Sequence, residues 1–325
     1  MLRQPRPGRR AKRRFVAGPR RRTFPLVPRH RLTGGTFGGY YSLRRGEGRD
    51  IAGSRSYVPG DRLAWIDWNT SARLSALHSD DTFVVREFYA DEAPRVVIVA
   101  DHHPSLALYS DELPWLSKAD ALGRAIVAIV AAAHAARAYT GYLDFSGAAS
   151  RGGAGYWLPP RRLSIRQIQH RRATAFDAPA NALQRGIDEL LTRRSDVQAG
   201  CFVFVVSDFL RPPPIETWLR AHARRWDLVP VIVQDPVWEQ SFPDVGGALI
   251  PVSDPATGRT TRIRVTARDA QSIRAEHVQR LSSLVRMFHS LDFDPVLLGT
   301  SQEHEIDLAF LSWANRRRFQ RRRAA

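Results

Sequence analysis

Cysteine is almost absent from this chain: Cys201 stands alone among 325 residues. An internal disulfide and a cysteine-rich zinc site are therefore excluded, and a reducing compartment is permitted. Cys201 lies in a hydrophobic run, where an unpaired thiol behaves as a small apolar side chain. Lysine is nearly as scarce, present only as Lys12 and Lys118 among 49 basic residues. No run approaches the roughly 20 apolar residues that span a bilayer. The longest, residues 119–138, is interrupted by Asp120, Arg124, His134 and Arg137 and reads as a core helix. The N-terminus carries arginines but no apolar signal core. A soluble, cytoplasmic protein with no transmembrane segment is expected.

Catalytic and nucleotide-binding signatures are also missing. There is no G-x-x-x-x-G-K-[ST], no G-x-S-x-G and no H-E-x-x-H. The glycines between Leu32 and Asp50 lack a strand–glycine–helix context and suit short strands with close backbone approach better than a phosphate cradle.

Acidic residues are absent from both ends. Residues 1–46 hold 14 basic and no acidic side chains, and residues 316–323 hold six arginines and no acid. The remainder carries 29 basic against 32 acidic residues, so the formal net charge of +17 resides at the termini. Residues 1–30, rich in Arg and Pro and without periodicity, are expected to be a disordered arm. Residues 316–325 are expected to be a basic tail. Such ends suit nucleic acid or an anionic surface, since Arg neutralises phosphates, or serve as solvated tails.

The middle alternates element types. Residues 95–101 read V-V-I-V-A between Arg95 and Asp101, the pattern of a parallel strand buried on both faces. A helix over 119–138, a strand over 139–145 and an edge strand over 156–158 follow. A helix over 181–194, a strand over 201–206, a helix over 214–225 and a strand over 228–233 complete the repeat. This order predicts an α/β fold with a doubly wound, mostly parallel sheet. Beyond it, a hairpin is expected around Thr257-Gly258, a helix over 270–290, an edge strand over 294–298 and a short helix from Glu303.

The most distinctive stretch is residues 55–73, R-S-Y-V-P-G-D-R-L-A-W-I-D-W-N-T-S-A-R. Pro59 and Gly60 supply the corners of a tight turn, and Asp61 can fold its carboxylate back onto backbone amides. Residues 63–68 are expected to run extended, and residues 83–88 form another strand, giving a small β subdomain. Arg55, Asp61, Asp67 and Arg73 suit ion pairing. Tyr57, Trp65 and Trp68 suit packing, with Asp67 and Arg73 as an internal pair. Direct contact with a partner is the alternative, since aromatic and Arg side chains anchor interfaces.

The Tyr57-Val58-Pro59-Gly60-Asp61 turn, the Ile66-Asp67-Trp68 step and the Ser71-Ala72-Arg73 step resemble the DUF58 family. The resemblance implies a von Willebrand factor A-like domain after the signature. Its boundaries would be the arm at 1–30, the β subdomain at 31–92, the α/β domain at 93–315 and the tail at 316–325. It also implies company with MoxR-type AAA ATPases.

In open α/β sheets, ligands bind beyond the carboxyl ends of strands at the switch point. Asp101, His103, Ser105, Ser207 and Asp208 are delivered there. By resemblance, a D-x-S-x-S loop, a Thr and an Asp would hold a divalent ion such as Mg²⁺. Asp101, Ser105 and Asp208 match that pattern; His103 replaces the first serine, and Asp177 stands near the expected Thr, with Thr174 upstream. Three readings stay open: a Mg²⁺ site, a Zn²⁺ or Mn²⁺ site using His103 and Asp177, and a metal-free cluster of capping groups. A Ser105, His103 and Asp208 triad can also be written down.

The expected function is that of a non-enzymatic adaptor, working with a MoxR-type AAA ATPase on an unidentified client. Maturation or metal insertion is the task that the resemblance suggests. Nucleic-acid binding through the termini and metal-dependent hydrolysis are the alternatives.

Overall fold

A computed structural model describes residues 23–29, 41–78, 80–91, 93–108, 113–147, 155–161, 175–255 and 257–323. The glycine-rich stretch at 32–40, Thr174, and residues 1–22 of the arm lie outside the described residues.

The core is a six-stranded sheet. Its strands are β3 (Arg95–Ala100), β4 (Tyr139–Asp144), β5 (Tyr156–Arg161), β6 (Phe202–Ser207), β7 (Asp227–Val233) and β10 (Val296–Leu298), in the order β10-β7-β6-β3-β4-β5. All neighbours are parallel except the antiparallel edge pair β4–β5. Mixed α/β architecture with a mostly parallel sheet therefore agrees with the periodicity. The order turns back between β3 and β6, which is the switch point.

Alternation along the strands feeds two helical layers. Val96, Ile98, Phe202 and Phe204 face α2 (Lys118–Ala135) and α6 (Glu303–Arg323). Val97, Val99, Val203 and Val205 face α3 (Ala182–Thr192), α4 (Ile215–Ala223) and α5 (Ala267–Ser290). Continuous apolar strands are what a sheet covered on both sides requires. Ser117 caps α2 by accepting from the Asp120 N–H, and Thr266 with Asp269 forms a capping box on α5. The exposed hairpin β8 (Leu249–Ser253) and β9 (Thr260–Arg264) turns around Gly258, at φ 68°.

Both expected terminal boundaries move. Phe24, Leu26 and Val27, placed by composition in a disordered arm, are buried in the core. Phe24 stacks on Phe310 at 4.7 Å between ring centroids and meets Phe204 and Trp313 edge-on. The short apolar cluster Phe24-Pro25-Leu26-Val27 thus has a slot despite its basic surroundings. At the other end, the helix from Glu303 is not short: it runs 21 residues to Arg323. Arg317, assigned to a solvated tail, is buried. Its Nη1 lies 2.7 Å from Asp227 and its Nε 3.0 Å from Asp294, and it also donates to the Val27 carbonyl. Arg29 pairs with Asp292 and Asp294, so this network joins the N-terminal strap, β7, β10 and α6.

The signature forms a separate two-stranded unit, β1 (Tyr41–Ser56) with β2 (Val84–Asp91), carrying α1 (Trp68–His78). Residues 63–68 are not extended: Leu63–Trp65 is a 3₁₀ turn, and α1 starts at Trp68. Asp67 accepts from the Thr70 N–H through its side chain and from the Ser71 N–H through its carbonyl, the bonding of a helix start.

Candidate functional site

Two groups of residues carry chemistry: the signature turn and the strand ends at the switch point. In the turn, Gly60 adopts φ 109°, which favours glycine. The Asp61 carboxylate folds back onto the Val58 N–H at 2.9 Å. The Arg55 guanidinium grips both Asp61 oxygens at 2.6 Å each and reaches Glu87 at 3.2 Å. This fork, with the Val58 N–H, holds the Asp61 carboxyl down at about 2.

Asp67 pairs with Arg86, at 3.0 Å, and not with Arg73. The isolated bridge between Ile66 and Val85 brings Arg86 alongside Asp67, whereas Arg73 is exposed on α1. Arg86 and the Thr70 N–H hold the Asp67 carboxyl at about 2. Trp68, read as a packing residue, is 61% exposed and touches Phe83 edge-on; Tyr57 meets the same ring.

At the switch point, Asp101 follows the last residue of β3, Ser207 ends β6, and Asp208 follows it. Asp101 is buried, with one oxygen accepting from the His103 N–H at 2.9 Å and the other from the Ser207 hydroxyl at 2.7 Å. Burial, with the nearby Asp208 charge, pushes its carboxyl up to about 6. Ser105 lies in the middle of the 3₁₀ turn at Pro104–Leu106 and donates to Asp208 at 2.6 Å. Asp208 also accepts from the Leu210 N–H, and its carbonyl from Gln234.

His103 Nδ1 accepts from the Ser105 N–H at 3.2 Å and lies 2.9 Å from the Ser105 hydroxyl. Burial lowers its readiness to protonate. The hydrogen-bond order is thus His103, Ser105, Asp208, with the serine in the middle. A nucleophilic relay needs the imidazole between the other two, so the triad is not assembled in this arrangement.

Asp177 is exposed and accepts from the Gly147 N–H at 2.7 Å. The neighbouring Ala178 N–H bonds to the His102 carbonyl, which brings this loop beside the end of β3. Asp101, Ser105 and Asp208 come together with His103, while Asp177 serves a loop. Among the described residues, no group of three or more His, Cys, Asp or Glu side chains could hold a metal ion.

Sequence reading missed Lys118. It stands at the first residue of α2, is buried, and places its ammonium 2.6 Å from Glu239 and 3.2 Å from Asp208. Burial works against its charge, but Asp208 and Glu239 outweigh it and raise its proton affinity. Glu239 also accepts from the Asp235 N–H. Composition shows only that Lys118 is one of two lysines in an arginine-dominated chain; it does not tell which distant carboxylates its ammonium meets.

A family model described as "Protein of unknown function DUF58" matches residues 53–283, the signature unit through most of α5. The chain belongs to the DUF58 family. Uncharacterized proteins of Mycobacterium bovis and Mycobacterium tuberculosis are 31% identical to this DUF58 chain over 255 residues, covering 76% of it and 74% of each relative. Two solved structures share 14% identity and cover 69% of this chain and all of their own. They are the conserved hypothetical protein BatB of Bacteroides thetaiotaomicron, at TM-score 0.38, and an aerotolerance-related membrane protein of Bacteroides fragilis, at 0.39. No helix among the described residues of the present chain is long and apolar enough to cross a membrane.

Proposed function

We propose that this DUF58 protein is a non-enzymatic adaptor of the cytoplasm. It presents a client protein complex to a MoxR-type AAA ATPase for maturation or metal insertion, and its α/β body is of the von Willebrand factor A-like kind. The strand order, with an antiparallel edge and the switch point between β3 and β6, supports the fold reading. One observation carries the adaptor reading. The signature unit leaves large apolar side chains in solvent, Val58 at 56%, Leu63 at 66%, Trp68 at 61% and Leu77 at 76% exposure, alongside the exposed Arg62 and Arg73. Aromatic and Arg side chains are the usual anchors of protein interfaces, and exposed apolar groups of this size mark contact surfaces. The switch-point hydroxyl and carboxylates, by contrast, are bonded to one another.

The test is an affinity capture of the tagged full chain from its own lysate with Mg-ATP, after nuclease treatment, at low and high salt. An AAA ATPase identified at both salts with the native chain, and lost with Leu63→Ser/Trp68→Ala, is the expected result. Nucleic acid recovered only at low salt without nuclease, and no ATPase, would move the function to the arginine-rich ends. A hydrolytic activity abolished by Asp208→Ala would make the protein an enzyme.

A further inference from the structure

The switch-point residues do not fit the divalent ion that the family resemblance implies. A Mg²⁺ site needs oxygen donors whose lone pairs face the ion, in near-octahedral geometry. Here the Ser105 hydroxyl donates to Asp208 at 2.6 Å and each Asp101 oxygen accepts one hydrogen bond, from Ser207 or the His103 N–H; these bonds leave lone pairs, so what tells against an ion is the rest of the donor set. The position of one expected hydroxyl carries the His103 imidazole, whose Nδ1 caps the Ser105 N–H. Asp177, near the position of the other, is turned to the Gly147 N–H.

What the cluster has in place of an ion is an ammonium. Lys118 is only 7% exposed and sits between carboxylates from two different strand-end segments: Asp208, just after β6, and Glu239, beyond β7. Its own segment is the one that links β3 to α2. Each partner is fixed independently of the lysine, Asp208 by the Leu210 N–H and Ser105, and Glu239 by the Asp235 N–H. The acceptors are thus held in place around the ammonium. Gln234 and Gln240 add a further tie, since Gln234 donates to the Asp208 carbonyl and Gln240 to the Gln234 carbonyl.

We infer that the Lys118 ammonium is a built-in cation that joins the segments following β3, β6 and β7, so that the switch point of this chain is closed without a divalent metal. A lysine suits this role because its compact point charge can sit between two carboxylates, and those two anions keep it protonated in spite of its burial. A covalently tethered cation also cannot be removed by chelation.

The test uses the full chain. Thermal unfolding is followed in excess EDTA and in millimolar Mg²⁺ or Mn²⁺, with Mn²⁺ binding read independently by electron paramagnetic resonance. The expected result is one Tm in all three conditions and no saturable Mn²⁺ binding. Lys118→Met, which keeps the stem and removes the charge, is expected to lower Tm in every condition. Saturable Mn²⁺ binding by the native chain that Asp208→Asn abolishes would overturn the inference, as would an unchanged Tm in Lys118→Met. The native-chain titration decides the metal question even if the variant does not fold, and neither readout involves the AAA ATPase.

Discussion

Asp101 shows how a single carboxyl group ties the site to pH. Its ordinary value of 3.8 rises to about 6 in the fold, because burial penalises the charge and Asp208 adds repulsion. The folded state therefore binds this proton more tightly than the unfolded chain does. Its contribution to stability is fully present below about pH 4 and is lost as pH rises through about 6, a difference of about 3 kcal/mol. Asp101→Asn removes the buried charge while leaving an oxygen for the His103 N–H. Urea titrations of the variant and native chains across that range should show the variant more stable above about pH 6, by up to about 3 kcal/mol, with the decline between about pH 4 and 6 flattened. An unaltered slope would mean that Asp101 is not the titrating group. The position of Asp101 was legible in the sequence, as the polar residue ending an apolar run. Its partner Ser207 was legible in the same way, but Lys118 was not, because a helix start says nothing of which distant loops it meets. The Asp67 pairing failed for the same reason: Arg73 is nearer in sequence, and Arg86 is nearer across the bridge.

Elements were legible where periodicity was long and misread where it was short. The V-V-I-V-A strand and the alanine-rich helix carry enough residues for one period to exclude the other. Residues 63–68 do not, since Leu63, Trp65 and Asp67 alternate with Ala64, Ile66 and Trp68 while also leading into a capped helix. The bonding of Asp67 to Thr70 and Ser71 settles it, and an Asp immediately before W-N-T-S-A-R was a readable cap. The strap at 23–29 is the plainest reversal. Phe24→Ala should empty a slot lined by Phe204, Phe310 and Trp313 and cost about 3–5 kcal/mol. Chemical denaturation followed by tryptophan fluorescence measures this. A variant as stable as the native chain would show that the strap contributes nothing to the core.

Across the whole molecule, the ends divide their charge between fold and solvent. Arg317 is buried with Asp227 and Asp294, where removing one partner would leave charges unpaired, and the partly buried Arg29 extends this network to the half-exposed Asp292. The ten basic side chains within residues 1–22 precede that network. Deleting residues 1–22 removes those ten basic side chains, so retention on a heparin column should fall and become less sensitive to salt. Unchanged retention and salt sensitivity would show that these side chains contribute nothing to binding a polyanion.

By itself the sequence determined the α/β class, the parallel core strands, the Pro59-Gly60-Asp61 turn and the strand-end position of Asp101, Ser207 and Asp208. These depend on periodicity, backbone preference and neighbours within a few residues. Tertiary structure alone decided that Lys118 sits between Asp208 and Glu239, that Asp67 meets Arg86, and that Phe24 and Arg317 belong to the body. Each of those pairings joins residues far apart in the chain, and composition averaged over a segment cannot report which few side chains find a slot when the layers close.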